Sequence, residues 1–211
     1  MIAVLDYGIG NLRSAEKALL RVGADACLVD TPEAALAASG VVLPGVGAFG
    51  SCARALRASG LDEVVRIFIR EERPFLGICV GLQLLFEGSE EDPDVPGLGI
   101  IAGRVRAIAK SERRPQMQWN LVCQPPGKSS RLLGESASQW YYFVHSYTPV
   151  PEGAGAIESV VGTCDYGGEL AVAFEGGNIF GTQFHPEKSA SAGLGLLGRF
   201  ARICGETALE G

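Results

Sequence analysis

The first half of the chain alternates short apolar runs with stretches in which apolar residues recur every three or four positions. The short runs predict strands buried on both faces, and the spaced stretches predict amphipathic helices. This alternation is typical of βαβ units around a parallel sheet. The strands predicted in this half are Ile2 to Leu5, Ala26 to Val29, Val41 to Leu43 and Phe75 to Ile78.

Three helices are predicted between these strands. The first follows Asn11, a suitable N-cap residue, and ends at Gly23. The second begins near Pro32, where the missing N–H costs nothing, and the third spans Leu61 to Glu72. These lengths suit crossovers between neighbouring parallel strands.

From about Leu98 the pattern changes to strands joined by turns, followed by a helix over Leu194 to Ile203. Such a change favours antiparallel pairing at one edge of a mixed sheet. We therefore expect an α/β fold, a three-layer sandwich with a mostly parallel central sheet and an antiparallel or mixed β portion in the C-terminal half. Because no repeat or linker is visible, we expect one domain over residues 1–211. The strands predicted in this half are Ile100 to Ile108, Trp140 to Val144, Ile157 to Val161, Ala171 to Phe174 and Ile179 to Phe184.

Charge and cysteine content narrow the function classes. The net charge of -6 and the lack of a basic run disfavour nucleic acid as a partner. The uncharged segment Ala34 to Ala53 is interrupted by glycines and a proline, so we expect a buried strand and a loop there, and no membrane span. Six cysteines without a C-x-x-C pair indicate neither a metal cluster nor a redox pair, and no export signal precedes Asp6. We expect a cytoplasmic protein without a cofactor or metal.

The sequence Gly77-Ile78-Cys79-Val80-Gly81 follows an apolar strand and precedes a helix-like run, Leu82 to Phe86. Strand, sharp turn and helix are the context of a nucleophile elbow, here with cysteine in place of serine. The unpaired N–H groups of the first helical turn favour the thiolate, and the N–H of Val80 could donate to an oxyanion. A buried structural thiol is the alternative for Cys79.

A cysteine nucleophile needs a base, and the chain has only two histidines. His185 follows a predicted strand, and Glu187 lies two residues later, where its carboxylate can orient the imidazole. His145 lies within a strand pattern and is expected to be a sheet histidine. The loop Pro44-Gly45-Val46-Gly47 ends another predicted strand and can present a backbone N–H at the same sheet edge.

Two motifs near these residues are set aside. No G-K-[ST] follows the Pro44 loop, which excludes a P-loop, and Gly8-Ile9-Gly10 lacks the third glycine of a dinucleotide fingerprint. The acidic run from Glu90 to Asp92 is expected to be a solvated turn, of interest only because Glu91 is close to the Cys79 helix.

Taken together, the Cys79 elbow, the distant His185-Pro186-Glu187 and the upstream Pro44–Gly47 loop resemble the class I (triad) glutamine amidotransferases, a flavodoxin-like family. Further motifs resemble one branch of it, the glutaminase subunits of imidazole glycerol phosphate synthases. These motifs are Asp6-Tyr7-Gly8-Ile9-Gly10-Asn11-Leu12, Met117-Gln118-Trp119-Asn120, Phe143-Val144-His145-Ser146-Tyr147 and Gln183-Phe184-His185-Pro186-Glu187-Lys188-Ser189.

The resemblance implies a Cys79, His185 and Glu187 triad that hydrolyses L-glutamine to glutamate and ammonia through a cysteinyl thioester. It also implies that the ammonia passes to a cyclase subunit with a (β/α)8 barrel, and that the two subunits form a heterodimer. This complex would have hydrolase and lyase activities and would act in histidine biosynthesis. The other implied residues fall into three groups: an oxyanion hole at Val46, Gly47 and Val80; glutamine contacts at Gln83, Glu91, Ser146 and Tyr147; and a partner interface at Asn11, Met117, Trp119, Asn120 and Tyr142.

One motif departs from the family pattern. The family usually has His-Met-Gly-Trp-Asn where this chain has Gln116-Met117-Gln118-Trp119-Asn120. We expect this change to affect the loop shape and the interface rather than the triad. Core packing is the alternative role for Met117 and Trp119.

Other functions share the elbow and stay open at this point. A stand-alone cysteine hydrolase would act on an ester or γ-glutamyl peptide without a partner. A non-enzymatic subunit would work without Cys79. Amidotransferase subunits of other synthases, such as those making anthranilate or pyridoxal phosphate, would share the triad.

Overall fold

Eleven strands and seven helices form the part of the chain described by the computed structural model, residues 1–206. Residues 207–211, which belong to the expected single domain, lie outside the described residues. The strands are β1 (Ile2–Leu5), β2 (Ala26–Val29), β3 (Gly40–Gly45), β4 (Phe75–Cys79), β5 (Gly103–Ala107), β6 (Gln116–Cys123), β7 (Ser138–His145), β8 (Tyr147–Pro151), β9 (Val160–Asp165), β10 (Glu169–Gly176) and β11 (Ile179–Thr182). The helices are α1 (Leu12–Arg21), α2 (Pro32–Leu36), α3 (Phe49–Ala58), α4 (Leu61–Arg70), α5 (Val80–Gln83), α6 (Ala154–Glu158) and α7 (Ala190–Ile203).

Nine of the strands form one mixed sheet in the order β2-β1-β3-β4-β11-β10-β9-β6-β7. The first five strands in this order pair in parallel, and the remaining four are antiparallel. Strands β5 and β8 form a separate antiparallel pair. The expected fold class is therefore confirmed, including the antiparallel portion in the C-terminal half.

The chain path places helices on both faces of the sheet. From β1 the chain moves to β2 on one side and then returns across β1 to β3 on the other. Because parallel crossovers are right-handed, this reversal puts α1 and α2 on opposite faces. The contacts agree, since α1 packs on α7 whereas α2 and α3 pack on α4. None of the helices within residues 1–206 has the length and apolar character needed to cross a bilayer.

Strand β4 lies in the middle of the sheet, between β3 and β11, and each of its five residues is buried. Its apolar sequence has no polar alternation because both faces are covered by helices. Since β3, β4 and β11 are parallel, their carboxyl ends emerge at one edge. The Pro44–Gly47 loop begins in the last two residues of β3, Cys79 is the last residue of β4, and His185 follows β11.

The structure corrects several expected elements. The segment expected as a strand and loop enters helix α3 at Phe49, and its residues Phe49, Cys52, Ala53 and Leu56 are buried at helical spacing. Ile157 lies in α6 and is exposed, so the strand expected there begins only at Val160. The helical run expected from Leu82 to Phe86 is instead the short α5, which begins at Val80 and ends at Gln83.

Strands β6 and β8 were not among the predicted elements. In β6 the apolar positions Met117 and Trp119 face solvent, so the buried face gives a weak signal of only Gln116 and Val122. In β8 two prolines, Pro149 and Pro151, argue against a strand, although they are tolerated in a two-stranded pair.

Candidate active site

Cys79 occupies a strained turn between β4 and α5. Its φ of 55° and ψ of -111° are unusual for a residue with a side chain. The neighbouring glycines are required for space, because a Cβ on Gly81 would lie 1.8 Å from the carbonyl oxygen of Leu43, and one on Gly77 would lie 2.8 Å from that of Gly81. The strain is therefore in the cysteine itself, whereas the glycines allow α5 to press against β3 and β4.

His185 and Glu187 meet in the segment after β11. The Nδ1 atom of His185 lies 2.8 Å from Oε1 of Glu187, and both side chains are 2% exposed. Because a carboxylate only accepts hydrogen bonds, the N–H at Nδ1 donates to Glu187, and Nε2 is the ring atom left to exchange a proton with a thiol. Nε2 is buried and makes no hydrogen bond in the described structure.

The charges around His185 favour its protonated form. Burial lowers its pKa, but the Cys79 sulfur and the Glu187 carboxylate more than offset this and raise the pKa of His185 to about 10. Cys79 and His185 also line the same cavity, which has a volume of 250 Å³. The structure therefore brings the thiol, the imidazole and the carboxylate together in the order that thiol activation requires.

The Pro44–Gly47 loop lies beside this group, and two buried side chains hold it. The hydroxyl of Tyr7 donates to the carbonyl oxygen of Pro44 at 2.7 Å, and the thiol of Cys52 donates to that of Val46 at 3.2 Å. Because the C=O and N–H of a trans peptide point in opposite directions, the N–H of Gly47 points away from Cys52. Val46, Gly47 and Val80 all line the cavity, where backbone N–H groups could meet an oxyanion.

Gln83 and Glu91 line the cavity, and each is already partly used by the protein. The Gln83 amide nitrogen donates to the carbonyl oxygen of Tyr147 at 3.0 Å and to Oε1 of Gln183 at 2.9 Å. Glu91 accepts from the N–H of Phe49 at 2.7 Å. Gln83 therefore offers a ligand its carbonyl oxygen, and Glu91 offers its remaining carboxylate oxygen. The sequence motif does not indicate this division of roles.

Ser146 and Tyr147 also line the cavity, together with His145. His145 is 6% exposed, and its Nδ1 atom lies 2.8 Å from the carbonyl oxygen of Tyr147. Burial lowers its pKa to about 4, although the Tyr147 carbonyl acts in the opposite direction. His145 is thus a neutral histidine of the sheet that holds the Tyr147 backbone, which agrees with the role expected from the sequence.

A larger hollow of 440 Å³ lies elsewhere, bordered mainly by apolar residues such as Leu85, Ile101, Phe174 and Phe180. Its lining includes neither cysteine nor histidine. The smaller cavity at Cys79 is therefore the candidate active site, because it combines a nucleophile, a base and backbone N–H groups.

An exposed aromatic face covers the outer side of β6 and the edge strand β7. Met117 is 64% exposed, Trp119 45% and Trp140 56%, and the ring of Tyr142 packs edge-on against Trp119 at 6.2 Å. Leu121 pairs with Trp140 and Trp119 with Tyr142, so these side chains share one side of the pleat. The exposed aromatic face is defined by Met117, Trp119, Trp140 and Tyr142. Its continuous apolar area is larger than single scattered apolar residues on a surface provide.

The structure gives further contacts for the residues expected at the partner interface. Met117 and Trp119 are exposed, so core packing is excluded for them. Asn11 makes no side-chain cap for α1; its amide instead donates to Oε1 of Glu187 at 3.3 Å. Asn120 lies on the other side of β6 from Trp119, and its amide donates to the carbonyl oxygen of Asp165 at 2.9 Å.

Sequence reasoning missed one residue of the exposed aromatic face and one residue beside Cys79. Trp140 belongs to the exposed aromatic face, and its two-residue spacing from Tyr142 was an available signal. Gln183 is fully buried, and its amide nitrogen lies 3.6 Å from the Cys79 sulfur. No local pattern marks Gln183, because its contact with Cys79 depends on the pairing of β11 with β4.

Comparison with known proteins adds independent findings. The model of the family described as glutamine amidotransferase class-I matches residues 3–201. The imidazole glycerol phosphate synthase subunit HisH of Methanothermobacter thermautotrophicus is 46% identical over 203 residues, which cover 96% of this chain and 98% of the relative. The subunit of the same name from Moorella thermoacetica is 45% identical, covering 96% and 94%.

A solved structure described as a crystal structure of glutamine amidotransferase superposes with a TM-score of 0.73. It is 24% identical in sequence and covers 97% of this chain and 98% of its own. At this level of identity the superposition supports the fold alone. With the family match and the two relatives, the chain belongs to the class I glutamine amidotransferases, in the family of HisH subunits of imidazole glycerol phosphate synthase.

Proposed function

We propose that Cys79, His185 and Glu187 are the triad with which this chain hydrolyses L-glutamine. Membership of the HisH family makes the chain an enzyme, the glutamine amidotransferase subunit of a synthase in histidine biosynthesis. One observation carries the assignment of the site: Glu187 occupies Nδ1 of His185 at 2.8 Å, which leaves a buried, unbonded Nε2 in the cavity of the strained Cys79.

In the resting site Nε2 of His185 holds the thiol proton of Cys79, and the first half of the reaction begins when the thiolate attacks the side-chain carboxamide carbon of glutamine. The N–H groups of Val80 and of the Val46–Gly47 segment receive the resulting oxyanion. His185 then returns its proton to the leaving nitrogen, the C–N bond breaks, and ammonia leaves a glutamyl thioester on Cys79.

In the second half, water attacks the thioester carbon while Nε2 of His185 accepts one of its protons. The C–S bond breaks, glutamate is released, and the thiolate and imidazolium of the resting site return. Glu187 holds the ring of His185 in place through both halves, because its carboxylate accepts from Nδ1 at 2.8 Å. Gln83, Glu91, Ser146 and Tyr147 surround the space that the glutamine would fill.

The partner in this proposal is a cyclase subunit with a (β/α)8 barrel, joined to this chain as a heterodimer. Ammonia passes directly to the barrel, which makes imidazole glycerol phosphate and an aminoimidazole carboxamide ribonucleotide. The exposed aromatic face supplies the docking surface, because large exposed aromatic residues are typical anchors of such interfaces. All six cysteines are free thiols, which suits the reducing cytoplasm that we propose as the site of the reaction.

The test is glutamate release by the wild type and by Cys79→Ala, each with and without the cyclase subunit and its nucleotide ligand. We expect release from the wild-type complex, much weaker release from the isolated chain, and none from Cys79→Ala. The partner dependence follows from the Gly-rich loop at Pro44–Gly47. Binding of the cyclase subunit and its nucleotide can shift the populations of the conformers of this loop.

Each remaining function would give a different result. High turnover of an ester or γ-glutamyl peptide by the isolated chain would indicate a stand-alone hydrolase. Ammonia transfer to an anthranilate or pyridoxal phosphate synthase subunit would indicate another synthase. Glutamate release that survives in Cys79→Ala would overturn the assignment of the nucleophile.

A further inference from the structure

A series of buried amides leads from the backbone of Tyr147 to the nucleophilic sulfur. The amide nitrogen of Gln83 lies 3.0 Å from the carbonyl oxygen of Tyr147 and 2.9 Å from Oε1 of Gln183. The amide nitrogen of Gln183 lies 3.6 Å from the sulfur of Cys79. Gln183 is fully buried and Gln83 is 4% exposed, so water does not compete for these bonds.

The orientation of both amides follows from the carbonyl of Tyr147. A backbone carbonyl can only accept, so the group of Gln83 that faces it must be the NH₂. The group of Gln183 that faces this NH₂ must then be its carbonyl oxygen, at 2.9 Å. The opposite end of the Gln183 amide, which faces Cys79, is therefore an N–H donor.

The backbone reinforces this orientation at each end. The Tyr147 carbonyl also receives Nδ1–H of His145 at 2.8 Å, which fixes its position. The N–H of Gln183 donates to the carbonyl oxygen of Val172 at 2.8 Å, which anchors Gln183 in the sheet next to β10. Rotation of the Gln83 amide would place its oxygen against two other oxygens, and rotation of the Gln183 amide would place two NH₂ groups together. Either change would leave unsatisfied polar groups inside the protein, which is costly.

We propose that Gln183 is a further catalytic residue, whose amide N–H donates to the Cys79 sulfur and stabilises its thiolate. A thiolate accepts a hydrogen bond more strongly than a thiol does, so a fixed donor favours the charged form. Imidazole and amide then have separate tasks: His185 moves the proton, and Gln183 supports the negative charge that remains on sulfur. Gln83 is the positioning residue that turns the Gln183 amide toward the sulfur.

Other ionisable groups near the sulfur do not supply this support. Burial raises the pKa of both Tyr7 and Cys52, which keeps these two groups uncharged at neutral pH. His185 is the charged neighbour, and its contribution is present whether or not Gln183 is changed. A deficit in a Gln183 variant therefore reports on the amide.

The experiment measures carbamidomethylation of Cys79 by iodoacetamide in the full-length chain, followed on the Cys79 peptide by mass spectrometry. The exposed Cys123 in the same sample serves as the internal reference. We compare the wild type with Gln183→Met and with Gln183→Leu, both of which remove the donor at similar volume without adding a charge. Gln124→Met, in a loop where the amide also donates to two backbone carbonyls, is the matched control.

We expect the Cys79 rate at pH 6.5 to fall about tenfold in both Gln183 variants, the size of a charge-assisted hydrogen bond, and to be unchanged in Gln124→Met. The deficit should be smaller at pH 10, because high pH favours the thiolate in every variant. Glutamine turnover should show a lower kcat at a similar KM.

Equal Cys79 rates in the wild type and both variants at pH 6.5 would overturn the proposal, as would a deficit of the same size at pH 10, which indicates altered access. Thermal unfolding shows whether Gln183→Met folds, and the uncharged Gln183→Leu decides the question if it does not. The inference rests on the proposed nucleophile, but alkylation needs no glutamine. A wild type that releases no glutamate would therefore count against the proposed function and not against the Gln183 contact.

Discussion

The side-chain amide of Gln116 lies 2.7 Å from Nε2 of His145, inside the protein. The other ring nitrogen donates to the carbonyl oxygen of Tyr147, so the neutral ring can only accept at Nε2. The NH₂ of Gln116 is therefore the group that faces the ring. With this assignment the amide oxygen of Gln116, rather than its nitrogen, occupies the buried position that has no hydrogen-bond partner among the described residues. Gln116 occupies the position at which the family usually has histidine, and its amide adds no second titratable ring beside His145.

This pair makes stability depend on pH in a defined window. Burial lowers the pKa of His145 to about 4 in the folded protein, against about 6.5 in the unfolded chain. Between these values the unfolded state binds more protons, so the contribution of His145 is complete above pH 6.5 and is lost as the pH falls to 4. We expect a loss of at most about 3 kcal/mol in the free energy of unfolding over this range.

Urea denaturation of the wild type and of His145→Gln at several pH values between 4 and 7 measures this slope. The variant should show a flatter dependence. His185 does not mimic the effect, because its pKa is raised to about 10 and its contribution is lost only as the pH rises above 6.5. Identical slopes in the two proteins would refute the interpretation of His145.

Glu187 is expected to control turnover through the orientation of His185. In Glu187→Gln the side chain keeps its shape but loses the charge that favours the imidazolium, so kcat should fall by about 10² to 10⁴. Asn11→Ala removes only the 3.3 Å bond to the same carboxylate oxygen and should lower kcat several-fold. Steady-state glutamate release by the complex gives both values. A smaller loss in Glu187→Gln than in Asn11→Ala would reverse the proposed roles.

Two glycines near Cys79 should respond to alanine in different ways. A Cβ at Gly81 would lie 1.8 Å from the carbonyl oxygen of Leu43, whereas one at Gly47 would meet nothing within 4 Å. Gly81→Ala should cost about 3 kcal/mol or more in the free energy of unfolding, because backbone must move. Gly47→Ala should cost about 1 kcal/mol, since the only penalty is its φ of 84°.

Thermal and urea unfolding of these two variants provide the comparison, and glutamate release provides a second measurement. Gly47→Ala should lower kcat more than its small effect on stability suggests, because the strained residue belongs to the proposed oxyanion loop. Equal destabilisation by the two substitutions would contradict the steric argument.

Trp140 is expected to be an anchor of the partner interface, although no sequence motif marked it. Trp119→Ala and Trp140→Ala should each weaken binding to the cyclase subunit by about 2 kcal/mol or more, which is roughly a 30-fold rise in Kd. The free energy of unfolding of the isolated chain should change by less than about 0.5 kcal/mol, because both rings are exposed.

Calorimetric titration with the cyclase subunit measures Kd. Leu20→Ala is the matched control, since Leu20 is 50% exposed on α1, outside the exposed aromatic face. A loss of affinity in Leu20→Ala equal to that in Trp140→Ala would place the partner elsewhere.

The parallel half of the fold was predictable because its strands are buried on both faces. Strand β4 is apolar throughout, and Cys79 is its last residue, so sequence alone placed the thiol at a strand end. The glycines on either side of Cys79, Gly77 and Gly81, belong to the same five-residue motif. His185 and Glu187 were accessible for a similar reason, since an apolar strand precedes them and the chain offers few histidines.

The antiparallel half was less predictable because its apolar residues do not all face the core. Met117 and Trp119 face solvent, whereas the polar Gln116 lies on the buried face of β6. This is the reverse of the usual strand pattern, in which apolar residues face the core and polar residues face solvent. The contact between Gln183 and Cys79 joins residues far apart in sequence and depends on the register of β11 against β4. Local periodicity contains no information about such a pairing.

The position of β11 has a consequence for how the protein is made. This strand is the last in sequence, yet it inserts between β4 and β10 near the middle of the sheet. While a ribosome is still translating the segment before Ile179, the edge of β4 has no neighbour on that side and stays open to wrong pairing. In the proposed mechanism a nascent chain releases no ammonia, because His185 must be synthesised and β11 inserted before the imidazole can join the thiol of Cys79.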